Sequence, residues 1–200
     1  MSAKYISSNW RLLNQENSSK SSDNYGLTFD GSEYIDLDTL ASEISSNETG
    51  SFALWINLND ATPTTNNTPI YVGNKTVDTR LYINCNTDGT CSAILRHSSS
   101  TKWILQTTQA VFSDNTWHHI VITQNGTEPN IYIDGAKPAQ SFNVTTDKTQ
   151  WINNLPSINS VRLGHLMLNN SQLQNFNGII SDTAIYDYPL SESQISTLYG

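Results

Sequence analysis

The sequence WHHIVIT at residues 117–123, followed closely by IYIDG at residues 131–135, decides the fold. Apolar residues alternate with other residues in both runs, as they do in β-strands that bury one face. Between the two runs lies QNGTEP at residues 124–129, which is rich in turn-forming residues. The sequence therefore predicts a β-hairpin of two adjacent strands.

The two histidines of this hairpin are predicted to lie on opposite faces. Alternation places His118 with Ile120 and Ile122, so it is interpreted as a hydrogen-bonded core residue and not as a catalyst. His119 falls on the face of Trp117 and is expected to be the more accessible of the two.

Short runs with strand character recur from Tyr25 onward, separated by Gly, Asn, Asp and Pro, which is typical of a β-sandwich or jelly roll. Strands are predicted at residues 27–30, 33–37, 51–58, 69–73, 79–85, 91–97, 102–107, 117–124, 130–134, 140–144, 160–165 and 178–187. Within residues 51–58, alternation places Phe52, Leu54 and Ile56 on one face and Trp55 on the other.

One helix is predicted, at the end of the chain. Ser191 and Gln194 have the spacing of a capping box, in which each side chain hydrogen-bonds the backbone of the other. Ile195 and Leu198 are then expected to face the sandwich.

Composition restricts the partners of this protein. Only 14% of residues are charged, and the formal net charge is −8 with a pI of about 4.7. Nucleic acids and anionic lipid surfaces both require basic patches, so neither is expected as a partner. There is no run of about 18 apolar residues, so no membrane insertion is expected either.

The first 24 residues are predicted to form an N-terminal arm, and residues 25–200 a single sandwich domain. The arm combines a small apolar cluster, at residues 5–6 and 10–13, with a polar stretch at residues 17–24. Two alternatives are open: the arm packs back on the sandwich, or it anchors the protein to a neighbouring subunit or larger particle such as a capsid. No signal peptide is visible at residues 1–5, and the expected location is extracellular or on a virion surface.

Cys85 and Cys91 flank the sequence NTDGT at residues 86–90. Asp-Gly is a turn signal, so the two cysteines are expected to face each other across a hairpin. Two states are open, a disulfide that closes this short loop or two free thiols. Because no histidine lies nearby in sequence, the pair is a poor zinc site.

Several motifs occur in one order along the chain: LTFDGSEYI at residues 27–35, SFALWINL at 51–58, the hairpin above, VRLG at 161–164, FNGIISDTAIY at 176–186 and YPLSESQI at 188–195. Together they resemble the laminin-G-like domains of the concanavalin A-like lectin/glucanase superfamily. The resemblance implies an all-β fold, a two-sheet antiparallel β-sandwich of jelly-roll type with a short C-terminal helix. Domains of this family mostly bind glycans or partner proteins, and few of them do chemistry.

The resemblance also implies a possible calcium site. Many relatives hold Ca²⁺ with the Asp of the opening motif and an acidic residue of the closing motif, which correspond to Asp30 and Asp182. Ser181 stands where the common pattern has an Asp, which removes one carboxylate from the set. Backbone carbonyls and waters could complete the oxygen shell that calcium requires.

A carbohydrate site usually needs an aromatic ring that stacks on the sugar, with polar groups around it for the hydroxyls. The candidate rings are Trp151, Trp103, Tyr82 and Tyr71, and the candidate polar groups are His97, Asn84, Arg96 and Gln106. Trp151 follows a polar loop and is therefore the ring most expected to be exposed.

The leading hypothesis is non-catalytic carbohydrate recognition at a cell or particle surface. An alternative is a virion decoration or adhesion subunit that residues 1–24 anchor to capsid proteins. A further alternative is a glycoside hydrolase, which would need paired carboxylates. Asp36 and Asp38 come closest to such a pair, but Asp38 is expected to cap residues 39–41. The protein is therefore predicted not to be an enzyme.

Overall fold

The structure is a computed structural model that describes residues 26–200. The predicted N-terminal arm, residues 1–24, lies outside the described residues. The strands are β1 Leu27–Asp30, β2 Ile35–Asp36, β3 Gly50–Leu58, β4 Asn67–Asn74, β5 Thr79–Cys85, β6 Cys91–His97, β7 Ser100–Thr107, β8 Trp117–Gln124, β9 Pro129–Ile133, β10 Gln140–Thr145, β11 Ser160–Leu163, β12 Leu166–Leu168, β13 Ser171–Leu173 and β14 Asn177–Tyr186. The helices are α1 Ala41–Ile44 and α2 Glu192–Tyr199, with 3-10 turns at Asp38–Leu40 and Ile152–Asn154.

These strands form two antiparallel sheets and one small hairpin. The five-stranded sheet has the order β1-β14-β3-β8-β9, and the seven-stranded sheet has the order β10-β7-β6-β5-β4-β11-β2. The core lies between them, and its largest cluster contains Phe52, Leu54 and Ile56, each at most 1% exposed. The predicted all-β sandwich and the predicted alternation in β3 are confirmed.

The predicted hairpin of WHHIVIT and IYIDG lies in the five-stranded sheet. Strand β8 pairs with β9, with Ile120 opposite Ile133 and Ile122 opposite Ile131. His118 is buried, and its Nδ1 lies 2.8 Å from Oδ2 of Asp134 while its Nε2 accepts a hydrogen bond from the Ser113 amide at 3.1 Å. The prediction of a hydrogen-bonded core histidine is confirmed.

The outer face of the five-stranded sheet is covered by helix α2. Ser191 and Gln194 form the predicted capping box, and Ile195 is fully buried against the sheet. Leu198, however, is 39% exposed, so its predicted contact with the sandwich is wrong. The helix has eight residues, and it packs on the strands through Ile195 and through the ring of Tyr199, which stacks on Trp55.

His119 lies on this covered face and is only 3% exposed, which corrects its expected accessibility. Its ring centre lies 5.0 Å from that of Trp55 and 6.4 Å from that of Tyr199, and the rings of Trp55 and Tyr199 stack on each other at 5.6 Å. Alternation predicts the correct face of the sheet for His119, but it does not predict that helix α2 covers this face. Burial lowers the pKa of His119 to about 4, although the carboxylate of Asp134 opposes the shift.

The β12–β13 hairpin was not predicted. Asn169 and Asn170 form its two-residue turn with φ angles of 50° and 59°, and asparagine tolerates this left-handed conformation better than most residues. Leu166 and Met167 pack on the outer face of the seven-stranded sheet. Among residues 26–200, no helix is both long and apolar enough to cross a membrane.

Candidate functional site

The outer face of the seven-stranded sheet carries an apolar stripe that runs across four neighbouring strands. Tyr71, Tyr82, Ile94 and Ile104 are successive partners in the register of β4, β5, β6 and β7. Tyr71 is fully buried beneath the β12–β13 hairpin, Tyr82 is 9% exposed and Ile104 is half-buried. The stripe is therefore covered at one end and accessible toward β7.

A row of amide and hydroxyl groups follows one side of this stripe. Asn84, Ser92 and Gln106 are successive partners in register, and we refer to these residues with Thr68 and Asn143 as the amide row. Thr68 donates to Asn84 Oδ1 at 2.7 Å, and Asn143 donates to Gln106 Oε1 at 2.8 Å. These hydrogen bonds hold the side chains in fixed orientations next to the apolar stripe.

Arginines follow the other side of the stripe. Arg80 and Arg96 are partners in register, and the carboxylate of Asp78 forms an ion pair with both. Arg96 also donates to Thr101 Oγ1 at 2.8 Å, and the guanidinium of Arg80 lies 5.7 Å from the ring centre of Tyr82. Arg96 is half-buried, so part of its guanidinium stays accessible beside the stripe.

The third arginine of the described chain, Arg162, lies at the covered end of the stripe, next to Tyr71 in register. It is only 5% exposed, and its guanidinium pairs with Asp36 and, at 2.8 Å, with Asp38. The hydrogen bond from Arg162 lowers the pKa of Asp36 below its ordinary value. The ring of Tyr34, 44% exposed, lies 5.2 Å from the Arg162 guanidinium.

Asp38 does not cap a helix, which corrects its predicted role. Its Oδ1 accepts from the amide of Val161 at 3.1 Å, and its Oδ2 accepts from Lys75 at 2.6 Å as well as from Arg162. The 3-10 turn begins at Asp38 with no side-chain cap. The carboxylate instead ties this turn to strand β11 and to the turn after β4.

Tyr71 carries a buried hydroxyl above Gly73. A Cβ placed on Gly73 would lie 2.6 Å from Tyr71 Oη and 2.2 Å from the carbonyl oxygen of Thr79, so only glycine fits there. Burial raises the pKa of Tyr71, and in the described part of the chain Tyr71 Oη has no hydrogen-bond partner. Ser160, opposite Gly73 in register, has a buried hydroxyl in the same situation.

The structure corrects the predicted sugar-stacking roles of Trp103 and Trp151. Both rings are 0% exposed and stack on each other in the core with centroids 6.4 Å apart. The indole N–H of Trp103 donates to the carbonyl of Gln150 at 3.0 Å, so the polar loop before Trp151 folds back over the core. Neither ring can therefore reach a ligand on the surface.

Of the other predicted carbohydrate-binding residues, Tyr71 and Tyr82 are brought together in the apolar stripe, with Asn84, Arg96 and Gln106 beside them. His97 lies apart from the stripe at the end of β6, where its Nε2 is 3.0 Å from Gln150 Oε1.

Asp30 and Asp182 are not brought together. Asp30 lies opposite Asn177 in the pairing of β1 with β14. Asp182 follows further along β14, and the rise per residue of a strand places it about 15 Å away. The Asp30 carboxylate accepts hydrogen bonds from the Ser32 amide at 2.9 Å and hydroxyl at 2.7 Å. These two residues therefore do not fit a single shared ion, and calcium binding by the protein stays a prediction.

Cys85 and Cys91 lie directly opposite each other in the pairing of β5 with β6, as predicted. Both are free thiols and fully buried, so of the two predicted states, a disulfide or two free thiols, the structure has the free thiols. Burial raises the pKa of each thiol.

Sequence reasoning missed Tyr34 and Arg162 as members of this face. Alternation in VRLG could have found Arg162, since Val161 and Leu163 are core residues and Arg162 must then point outward. The role of Tyr34 depends on the ion pair of Arg162 with β2, which no local pattern contains.

Two packed antiparallel sheets with an outer face rich in hydrogen-bonding groups define a lectin-like β-sandwich. The chain belongs to the concanavalin A-like lectin/glucanases superfamily, whose family model matches residues 29–196. The predicted resemblance is thereby confirmed. No curated protein sequence matches the chain significantly.

Solved structures with the same fold include carbohydrate-binding modules. The CBM40 module of the Ruminococcus gnavus IT-sialidase, bound to α2,3-sialyllactose, has a TM-score of 0.76 at 16% identity, over 88% of this chain and 96% of that one. The NanB sialidase of Streptococcus pneumoniae (K499G mutant) has a TM-score of 0.74 at 14% identity, over 86% of this chain and 27% of that one. The heptameric SAP-like pentraxin of Limulus polyphemus has a TM-score of 0.59 at 16% identity, over 86% and 80%. At these identities the likeness concerns the fold.

Proposed function

We propose that this protein binds carbohydrate displayed on a cell or particle surface through the outer face of its seven-stranded sheet. The observation that carries the proposal is the accessible part of that face, where the apolar stripe lies between the amide row and Arg96. A sugar ring has an apolar face of C–H groups and a rim of hydroxyls. The apolar stripe offers a contact surface to the C–H face of the sugar. The amide row and Arg96 offer hydrogen-bond donors and acceptors to its hydroxyls.

Several residues would share this work. Ile104 and the edge of Tyr82 supply the apolar contact, and Gln106 and Asn143 supply amides for hydroxyl groups. Arg96 supplies a guanidinium that would strengthen a hydrogen bond to a hydroxyl or to an acidic group of the sugar. The likeness in fold to a module bound to sialyllactose supports the inclusion of sialylated glycans among the ligands to be tested.

The proposed function is non-catalytic. Asp36 and Asp38, the carboxylates closest to a glycosidase pair in sequence, are both engaged with Arg162, and Asp38 also with Lys75. Carboxylates in such ion pairs are poorly suited to act as general acid or nucleophile, since both roles need a group free to approach the glycosidic bond. Release of reducing sugar from a broad glycan panel by the purified protein would contradict this part of the proposal.

The test of binding is a glycan array that includes α2,3- and α2,6-sialyllactose and lactose, run with calcium and again with a chelator. Arg96→Gln should weaken binding about tenfold, because a charge-assisted hydrogen bond is lost. Lys137→Gln is the matched control, since it removes one positive charge from an exposed residue beyond β9. Equal loss in both variants, or no binding by the unaltered protein, would overturn the proposal.

A further inference from the structure

A cavity of about 240 Å³ lies at one end of the sandwich, where the turn after β1, the loop between β3 and β4 and the start of β14 meet. Most of its lining residues have polar side chains, and Gly31 and Pro63 complete the lining. We refer to it as the end pocket, and the residues used here are Asp60, Thr64, Thr65, Asn67, Asn175 and Asn177.

Asn67 and Asn175 are the two least exposed asparagines of the end pocket. Asn67 is only 4% exposed, and it lines the cavity. Asn175 donates to the carbonyl of Gly31 at 2.7 Å, but its Oδ1 is buried and has no hydrogen-bond partner among residues 26–200. Buried polar atoms are nearly always hydrogen-bonded, so the unpartnered Asn175 oxygen, beside the buried Asn67 in the lining of one cavity, indicates a polar ligand.

The other groups define the chemistry of that ligand. Asp60 is exposed, and its Oδ1 accepts from the Thr62 amide at 2.8 Å. Asn177 Oδ1 accepts a hydrogen bond from Asn59, while the hydroxyls of Thr64 and Thr65 line the loop side. With one carboxylate and no basic residue in its lining, the end pocket does not suit an anion. Amides, hydroxyls and a carboxylate together suit neighbouring hydroxyl groups.

The size of the end pocket limits the ligand to a small one. Pockets for drug-sized molecules have volumes of about 300–1,000 Å³. The end pocket is smaller, which suits a single sugar ring rather than an extended oligosaccharide. In residues 26–200 no three His, Cys, Asp or Glu side chains cluster as a metal site, so the carboxylate of Asp60 is not part of such a group.

The end pocket adjoins the proposed carbohydrate face. Thr68, of the amide row, follows Asn67 in the chain, and Gln174 precedes Asn175. Thr68 and Gln174 are hydrogen-bonded to each other, from amide to carbonyl at 2.9 Å and between side chains at 3.0 Å. The hydrogen-bonded pair of Thr68 and Gln174 therefore connects the end pocket to the amide row.

We propose that the end pocket is a second binding site, which takes a single neutral sugar unit through Asp60, Asn67 and Asn175. The inference rests on the proposed function, since it adds a second contact for the class of ligand that the outer face binds. A glycan with two branches, or two neighbouring glycans, could then engage both sites of one molecule.

The test is a titration of the ¹⁵N-labelled protein with methyl glycosides of glucose, galactose, mannose and N-acetylglucosamine, followed through the side-chain amide signals of asparagine and glutamine. We expect at least one glycoside to shift the signals of Asn67 and Asn175. Asp60→Asn should weaken that binding about tenfold, because it replaces a charged acceptor by a neutral one. Glu48→Gln, which removes one negative charge from an exposed residue elsewhere, should leave it unchanged.

Asn67→Ala should abolish the response, and Thr64→Val, at an exposed residue, keeps the test valid if Asn67→Ala does not fold. Shifts at Gln106 and Asn143 without shifts at Asn67 and Asn175 would overturn the end-pocket proposal alone. Shifts at Asn67 and Asn175 alone would uphold it and count against the outer face. A glycoside panel that shifts neither set would overturn the end pocket as a sugar site.

Discussion

The two outer faces of this sandwich have opposite characters. The outer face of the five-stranded sheet is closed by helix α2 with an apolar cluster that includes Val121, Tyr132 and Ile195. The outer face of the seven-stranded sheet is crossed by an apolar stripe but bordered by amides and by all three arginines of the described chain, and only the small β12–β13 hairpin covers part of it.

The difference shows two ways in which an antiparallel sheet can deal with its outer face. Alternation in an antiparallel strand sends every second side chain outward, so each sheet must either cover its outer face or keep it polar. The five-stranded sheet covers its outer face with the capped helix α2. The seven-stranded sheet keeps much of its outer face polar. Its accessible half therefore holds hydrogen-bonding groups in fixed positions that a ligand could use.

The largest expected effect concerns Arg162, the buried arginine of the seven-stranded face. Arg162→Ala should lower the free energy of unfolding by about 3–5 kcal/mol, because it leaves the partly buried Asp38 with one cation fewer and uncovers Tyr34. Urea denaturation at pH 7 measures this. The half-exposed Arg96 is the control, since Arg96→Gln should cost about 1 kcal/mol or less. Equal losses of unfolding free energy in the two variants would show that the buried Arg162 stabilises the protein no more than the half-exposed Arg96 does.

The next effect concerns the covered face. Ile195→Ala should lower the free energy of unfolding by about 2–4 kcal/mol, because it leaves a cavity between helix α2 and the sheet. Leu198→Ala, on the exposed side of the same helix, should cost less than about 0.5 kcal/mol. Glycan binding by the folded Ile195→Ala protein should be unchanged. Loss of binding in this variant would contradict the division of roles between the faces.

The smallest effect is a pH dependence to which both faces contribute. Burial lowers the pKa of His119 to about 4, and burial together with the positive charge of Arg162 lowers that of His165 to about 4. The unfolded chain, with a histidine pKa of about 6.5, binds more protons than the folded protein between these values. Stability should therefore be complete above about pH 6.5 and fall as the pH drops toward 4, by on the order of 1–3 kcal/mol for each histidine.

Thermal denaturation between pH 4 and pH 7 checks this dependence for His119→Phe and His165→Phe separately. Each variant should show a shallower fall than the unaltered protein, since one titrating group is removed. A fall as steep as that of the unaltered protein in both variants would assign the dependence to other groups.

Much of the fold could be predicted because it depends on local patterns. Strands β5, β6 and β8 were predicted with the bounds that the structure has, since alternation and turn residues mark both ends. The capping box of α2 was predicted for the same reason. The β12–β13 hairpin was missed because its two strands have only three residues each, although its Asn169-Asn170 turn was a usable signal.

The candidate site was predictable only in part. Tyr82, Arg96 and Gln106 were singled out by residue type, and register places them on one face. Trp103 and Trp151 were misjudged because exposure depends on which loops fold back over a strand end, and adjacent sequence does not encode that. The end pocket was missed for a related reason: it is formed by three loops that are distant in sequence.

The most direct test of the central claim is a crystal structure of the protein with the glycan that binds best on the array. The account predicts that the sugar lies on the outer face of the seven-stranded sheet and contacts Ile104, Gln106 and Arg96. A sugar bound on the helix-covered face of the five-stranded sheet, with the seven-stranded face free, would contradict it.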